Sequence, residues 1–449
     1  MMNADSDTKI YDDRTKLYPV KKKNLFGDFY YGWVIVAIGL LSMVFWMGIR
    51  SGFSVFYVAL LDEFQWSRGS SAGVQSVSMI VYTICAPVVG SLIDRFGPRK
   101  VIAAGVLVLS CGLILSALIQ NLAQFFLFYG VIMGVGITSI GIVSYSSIIA
   151  HWFEKKRGLA SGIAVSGMGL GTFLMVPLAQ QLISSWGWRA TFLVFGALVL
   201  VILLPLNGIF LRHKPEEMGE YPDGADYPVF PECEENKNGG NKCSPEAEWT
   251  LRKALRTVQF WALIAFSALV VGGVFVVLVH SVRFLVDQGL SKMTAAMMFA
   301  MVGIVSSIFR IFWGWLSDRI GREITFTLGA ICGCLGYASL LLMAVTGKQF
   351  FVYTFFVFFG MGWGGSAPLL MAVSADLFKG RIFGLIYGIV EGSVGLAGAF
   401  GAWIAGFIFD QTGSYQWAFV LAIAATLLSI VFVWIAAPRH AQAFRRKNL

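Results

Sequence analysis

The chain has 449 residues, of which 57% are hydrophobic and only 13% charged, and its mean hydropathy is +0.73. A soluble domain carries roughly 25% charged residues, so this composition belongs to a polytopic membrane protein. The net charge of +9 does not argue for nucleic acid as a partner, because the basic residues form short clusters that bracket apolar runs and so anchor and orient membrane helices.

The first thirty residues mix Asp, Lys and Tyr and lack an apolar core with a cleavage site, so 1–31 is expected to be a cytosolic tail and not a signal peptide. Runs of 18 or more apolar residues predict spanning helices, since a hydrocarbon core of roughly 30 Å needs about 20 residues at 1.5 Å each. Twelve follow, at 32–58, 70–92, 100–120, 124–149, 158–184, 190–210, 257–284, 293–315, 323–345, 350–375, 382–408 and 415–437. The predicted class is therefore all-α, with an N-terminal six-helix bundle over 32–210 and a C-terminal one over 257–437. Between them lies the longest polar segment, 211–256, expected to be a flexible cytosolic linker with a short amphipathic helix near Glu246 to Arg256. A basic tail, 438–449, ends the chain.

One side collects Lys21 to Lys23, Arg95, Arg99, Lys100, Lys155 to Arg157, Arg212, Lys214, Arg319, Arg322, Lys379, Arg381 and Arg439 to Lys447. The positive-inside rule places that side, and both termini, in the cytosol of a cell bounded by this membrane. Trp33, Trp66, Trp186, Trp188 and Trp417 near run ends suit the interfacial belt. Cys85, Cys111, Cys332 and Cys334 read as small buried side chains in apolar runs. Cys233 and Cys243 share the linker, where neither a disulfide nor a metal site is expected.

The halves repeat. Gly90 to Lys100 reads G-S-L-I-D-R-F-G-P-R-K, and Gly314 to Glu323 reads G-W-L-S-D-R-I-G-R-E, with Asp94 and Asp318 standing 224 residues apart. Arg157 and Arg381 show the same offset, and Gly187-Trp188 is matched by Gln416-Trp417. Asp94, Arg95, Arg99, Asp318, Arg319 and Arg322 in these turns read as gates, with the acids meeting basic groups or helix termini of the facing bundle.

An Arg deep in an apolar helix is costly unless it faces a cavity or partner. Arg310 lies eight residues, about 12 Å, from Asp318, and its planar fork suits a carboxylate. Its alternative is a structural ion pair within the bundle. Arg50, well inside helix one, is either a second anion contact or a group reaching the outer surface. Glu391 in helix eleven is a candidate proton carrier or a counter-charge to Arg310, against plain packing beside Gly388, Gly392 and Gly395. His280, three residues before Arg283, could titrate. Gly384, Gly388 and Gly392, like Gly158 and Gly162, recur every four residues and permit close helix approach.

The two turns resemble the G-x-x-x-D-R-x-G-R-R/K signature of the major facilitator superfamily, with Pro98 where Arg is commoner. Gly32-Trp33, Phe53 to Phe56, Glu63 to Arg68, His151 to Gly158 and Arg310 resemble, more narrowly, the monocarboxylate transporter and oxalate–formate antiporter branch. That resemblance implies two bundles rocking about a central site, with Arg310 binding the substrate carboxylate. It also places an important Lys of the family at Ser51 or Arg50. Tyr57, Tyr145, Phe359, Trp363 and Tyr387 lie in helices that mostly line the cavity in that fold, and each reads as pocket or core. Ser306 stands where animal members carry the Asp paired with their Arg, so proton symport would need Glu391 instead, the alternatives being anion exchange or uniport.

The expected function is secondary transport of small monocarboxylates, lactate- or pyruvate-like, across the cytoplasmic (inner) membrane, the expected partners being a proton and the lipid bilayer, the chain acting as a monomer without cofactor. A dicarboxylate or formate-type anion exchanger, or another organic-anion carrier, is the alternative. Pro177 is followed by Leu-Ala-Gln in place of the x-x-Gly-Gly of proton-antiport drug pumps, and no phosphate-binding loop of an ATP-driven pump occurs. No nucleophile or metal constellation marks an enzyme.

Overall fold

A computed structural model describes residues 30–66, 68–224 and 249–436. Most of the N-terminal tail, the linker centre with Cys233 and Cys243, and the basic tail lie outside the described residues, as does the side chain of Arg283. Helices α1, Gly32–Phe64, α2, Arg68–Phe96, and α3, Pro98–Ser116, come first. They are followed by α4, Leu122–Trp152, whose turn Phe126–Met133 is wound as a π-helix. The next apolar stretch, Arg157–Phe210, is 54 residues long. A straight helix of that length would measure about 80 Å, far beyond a bilayer core of roughly 30 Å. Gly187, at φ 81° and ψ 163°, breaks it into α5, 157–186, and α6, 188–210.

The second half contains α7, Val258–Asp287, α8, Lys292–Ile320, α9, Arg322–Thr346, α10, Phe351–Phe378, α11, Phe383–Thr412, and α12, Gln416–Ala436. The eleven continuous apolar stretches among the described residues are therefore twelve spans in two six-helix bundles, as the apolar runs predict. Several helices outrun those limits; α1 continues six residues past 58 to Phe64.

The repeated turns have one construction. Gly97 (φ 81°) joins α2 to α3, and Gly321 (φ 98°) joins α8 to α9, the same 224 residues apart. A side chain at either position would be strained. Pro98 is the first residue of α3, where its missing N–H removes no helical bond, so its departure from the signature costs the turn nothing.

The bundles meet along two seams, α2 against α11 and α5 against α8. A Cβ on Gly90 or Gly384 would collide with the other's carbonyl, and the same holds for Gly158 and Gly314. The four-residue glycine spacing thus serves close backbone approach between bundles. On the opposite faces Leu421, Leu427, Val431 and Trp434 of α12 are exposed, an apolar surface suited to lipid. Cys111 is exposed there too, contrary to its expected burial, because an apolar helix buries only the side that its neighbours cover.

Residues 211–224 differ from the loose linker expected from their polarity. Both Glu220 carboxylate oxygens accept from the Tyr31 N–H, at 3.4 and 3.2 Å. Asp223 accepts from the N–H groups of Glu154, Lys155 and Lys156 at 2.9, 2.7 and 3.1 Å. The segment is fastened to the start of α1 by Glu220 and to the α4–α5 turn by Asp223, carboxylates that composition alone marks as solvent-exposed. Beyond the undescribed stretch only a five-residue helix forms, Leu251–Leu255, capped by Thr250.

Candidate functional site

At the end of the molecule bearing Asp94 and Asp318, main-chain donors close the seams. Asp94 of α2 accepts from the N–H groups of Gly384 and Leu385 at the start of α11, at 2.9 and 2.8 Å. Asp318 of α8 accepts from Gly158 and Leu159 at the start of α5, both at 2.8 Å. Each carboxylate satisfies the orphan donors of a helix N-terminus and sits at its positive end. Gly384 stands 226 residues after Gly158, so the bonded register is two residues longer than the 224 that separates Arg381 from Arg157, and Arg381 is not the structural counterpart of Arg157.

Side chains reinforce the closure. Arg322 pairs with Asp318 at 2.5 Å and with Asp376 of α10 at 3.0 Å. Arg157 pairs with the same Asp376 from the other bundle, and Lys379 with Glu154 at 2.6 Å. Burial pushes the Glu154 carboxyl up, but Lys379 outweighs it and holds the group below its ordinary value. Of the other expected gates, Arg95 lies over the ring of Phe96 and Arg319 over Trp315, while Arg99 is exposed. Among the described residues these three make no ion pair across the seam. Their position at the polar end of an apolar helix explains why sequence grouped them with Arg322.

Above this closure lies a cavity of about 690 Å³ lined by both bundles. Arg310 reaches it from α8 and is fully buried. Its guanidinium lies 5.1 Å from the Trp363 ring centroid, and Nη1 approaches the Met168 sulfur at 3.2 Å. Among the described residues Nε and Nη2 have no hydrogen-bond partner, and no carboxylate pairs with this cation. Ser306 offers none, since its hydroxyl donates to the Gly303 carbonyl of its own helix at 2.9 Å. The structural ion pair left open for Arg310 is absent among the described residues.

Arg50 lines the same cavity. It lies 4.8 Å from the Trp46 ring and 5.0 Å from Tyr82, and Nη2 approaches the Met79 sulfur at 2.6 Å. It therefore faces inward and does not reach to the outer surface. Ser51, its neighbour, bonds Thr172 across to α5 at 2.9 Å. Glu391 is buried at the seam, where the Tyr82 hydroxyl of the opposite bundle donates to it at 2.9 Å. Tyr387 lies one turn earlier on the same helix and also lines the cavity, as does Trp363.

Four aromatic or titratable candidates lie outside that lining. The Tyr145 hydroxyl bonds Ser42 at 2.7 Å and Asn207 at 2.6 Å inside its own bundle. Tyr57 packs by Phe53, and Phe359 packs between Phe355 and Tyr337. His280 contacts the Ala402 carbonyl at 3.0 Å and the Tyr415 hydroxyl at 3.3 Å. Each sits on a helix that reaches the cavity, but one residue turns a helix by about 100°, and these four fall on other faces. Sequence reasoning missed Trp46, Tyr82, Asp376 and the Glu154–Lys379 pair. Asp376 carried a signal, since it lies one residue beyond the apolar run that ended at 375.

Two six-helix bundles, closed at one end beneath a central cavity holding buried charge, define a polytopic membrane transporter. The chain belongs to the Major Facilitator Superfamily, whose family model matches residues 34–387 and 364–448. It is 28% identical over 430 residues to Homo sapiens monocarboxylate transporter 11, covering 91% of this chain and 83% of that protein. With Rattus norvegicus monocarboxylate transporter 13 it shares 27% over 399 residues, 88% and 87% of the two chains. An uncharacterized transporter of the superfamily, YcxA of Bacillus subtilis (strain 168), is 26% identical over 405 residues, 89% and 92% of the two. In fold it matches the proton:xylose symporter XylE with a TM-score of 0.72 at 16% identity, over 90% and 95% of the chains. The human organic anion transporter MFSD10 matches with 0.65 at 15%, over 89% and 99%.

Proposed function

We propose that the protein is a secondary transporter of organic monocarboxylates that works by alternating access, as a monomer, with the Asp94 and Asp318 end in the cytosol. The observation that carries this reading is Arg310, a fully buried guanidinium in the central cavity with two nitrogens that have no hydrogen-bond partner among the described residues. An uncompensated buried charge costs several kcal/mol, and a carboxylate seated bidentately on the fork would offset that cost. The similarity to monocarboxylate transporters supports the same substrate group. The bonds at the Asp94 and Asp318 end make the described state closed to the cytosol in this orientation.

Glu391 is the proposed proton carrier. It is the acid of the cavity lining, and its bond to Tyr82 crosses the seam, so separation of α2 from α11 would expose it. Two arginines in one cavity favour, as a second reading, a dicarboxylate or exchanged anion.

In proteoliposomes, Arg310→Ala is expected to abolish saturable carboxylate uptake with the protein still folded; uptake retained at a similar KM would remove Arg310 from the site. An inward proton gradient is expected to stimulate uptake by the unaltered protein and not by Glu391→Gln. Stimulation that survives the substitution assigns the proton elsewhere.

A further inference from the structure

The cavity's size and walls narrow the substrate beyond the carboxylate itself. At about 690 Å³ it falls among pockets of roughly 300–1,000 Å³, which enclose drug-sized ligands. A three-carbon acid anchored on Arg310 would leave most of that space to water. The walls are suited to something larger: Val270, Val274 and Phe275 come from α7, Phe299 from α8, and Trp363 from α10. Trp363 already lies against the Arg310 guanidinium, so a ring carried next to a bound carboxylate would meet an aromatic face. Among the described residues the charged groups of the lining are Arg50, Arg310 and Glu391, and α7 contributes none of them.

We infer that the preferred substrate is a monocarboxylate with an aromatic or similarly bulky apolar body, its carboxylate on Arg310 and its body between Trp363 and the apolar wall of α7. This rests on the reading of Arg310 as the carboxylate anchor. The driving terms differ for the two parts of the molecule. The carboxylate supplies charge-assisted bonds that any acid can make. The body adds apolar burial in proportion to its area, which short acids lack. Hydrophobic pockets discriminate by roughly 10–200-fold for even one methylene, so a phenyl group is expected to lower the half-effective concentration by at least about tenfold.

The test uses the purified full chain in proteoliposomes, with thermal stabilisation in detergent as a second measurement that does not require transport. The probes are lactate, pyruvate, phenylacetate and phenylpyruvate as sodium salts, with phenylacetamide as the uncharged analogue of phenylacetate. The aryl acids are expected to stabilise the protein, and to compete with one another for uptake, at concentrations at least about tenfold below lactate and pyruvate. Val274→Phe, which fills part of the apolar wall, is expected to narrow that ratio. Lactate or pyruvate acting at equal or lower concentration than the aryl acids overturns the proposal and leaves the Arg310 anchor standing. Phenylacetamide acting as strongly as phenylacetate overturns the anchor, and the proposal with it.

Discussion

Arg310 and Glu391 are both buried ionisable side chains in the same cavity, yet their surroundings differ. Glu391 has a donor, the Tyr82 hydroxyl, whereas two nitrogens of Arg310 have none. Burying an ion without a paired counter-charge carries a penalty of roughly several kcal/mol, which an apolar side chain of similar volume does not incur. Arg310→Met should therefore raise the melting temperature of the ligand-free protein even as it eliminates carboxylate binding. A lower melting temperature would mean that the guanidinium is a structural element. Tyr82→Phe should act in the opposite sense, leaving a buried carboxyl without its donor at a cost of about 1–3 kcal/mol, read as reduced thermal stability in detergent. The cost of burying an Arg was readable from sequence because apolar helices tolerate few charges. Tyr82 was not, since nothing in a run of apolar residues shows which tyrosine will face an acid 309 positions away. Tyr145 failed for the related reason that its partner, Asn207, belongs to a helix whose rotation is fixed only by packing.

The seams between helices transmit position to the site. Gly162 of α5 lies outside the cavity lining, but a Cβ there would run into the carbonyl of Arg310 itself. Gly162→Ala must push α5 and α8 apart and shift the guanidinium with them, and misplacement by about 1 Å is enough to lose most of a well-oriented contact. The expected result is weaker carboxylate-induced thermal stabilisation together with a lower melting temperature. Unaltered ligand response would show that the seam and the site move independently. Helix spacing made these glycines visible as a packing surface in advance. What they pack against required the fold, because the four-residue spacing specifies a smooth face and not its partner. The α5–α6 junction was legible for another reason: the runs 158–184 and 190–210 stood apart in sequence with Gly187-Trp188 between them, where the structure breaks the helix at Gly187.

At the scale of the molecule, the closed end is a layered lock. Two acids cap two helices across the seams, and behind them Arg157, Asp376, Arg322 and Asp318 form a connected ion-pair chain. Neutralising both capping acids, Asp94→Asn with Asp318→Asn, should shift the population toward separation at that end. A cysteine placed at Ser374, fully buried just before Asp376, should then react with a membrane-impermeant thiol reagent several-fold faster, in a background without the native cysteines. Unchanged reactivity would show that the remaining pairs hold the end closed alone. The repeated turns announced this architecture at once, since charge and glycine between long apolar runs mark the points where a chain leaves the bilayer and turns back into it. The docked 211–224 segment did not, because a carboxylate bonded to main-chain N–H groups looks in sequence like any solvated acid.

The capping acids also constrain how this protein can change by mutation. Arg157 and Asp376 are two side chains, so loss of one can be answered by a change in the other, and the pair can drift or reverse over successive generations. Asp94 binds peptide N–H groups, which every residue but proline presents alike, whereas Asp318 adds to its N–H bonds a side-chain partner in Arg322. No substitution at Gly384, Leu385, Gly158 or Leu159 supplies a reciprocal charge on those atoms, and the glycines admit no side chain. Suppressors of a defect at Asp94 should therefore map to distant positions that alter the balance between states, whereas suppressors at Arg157 should cluster around its partner.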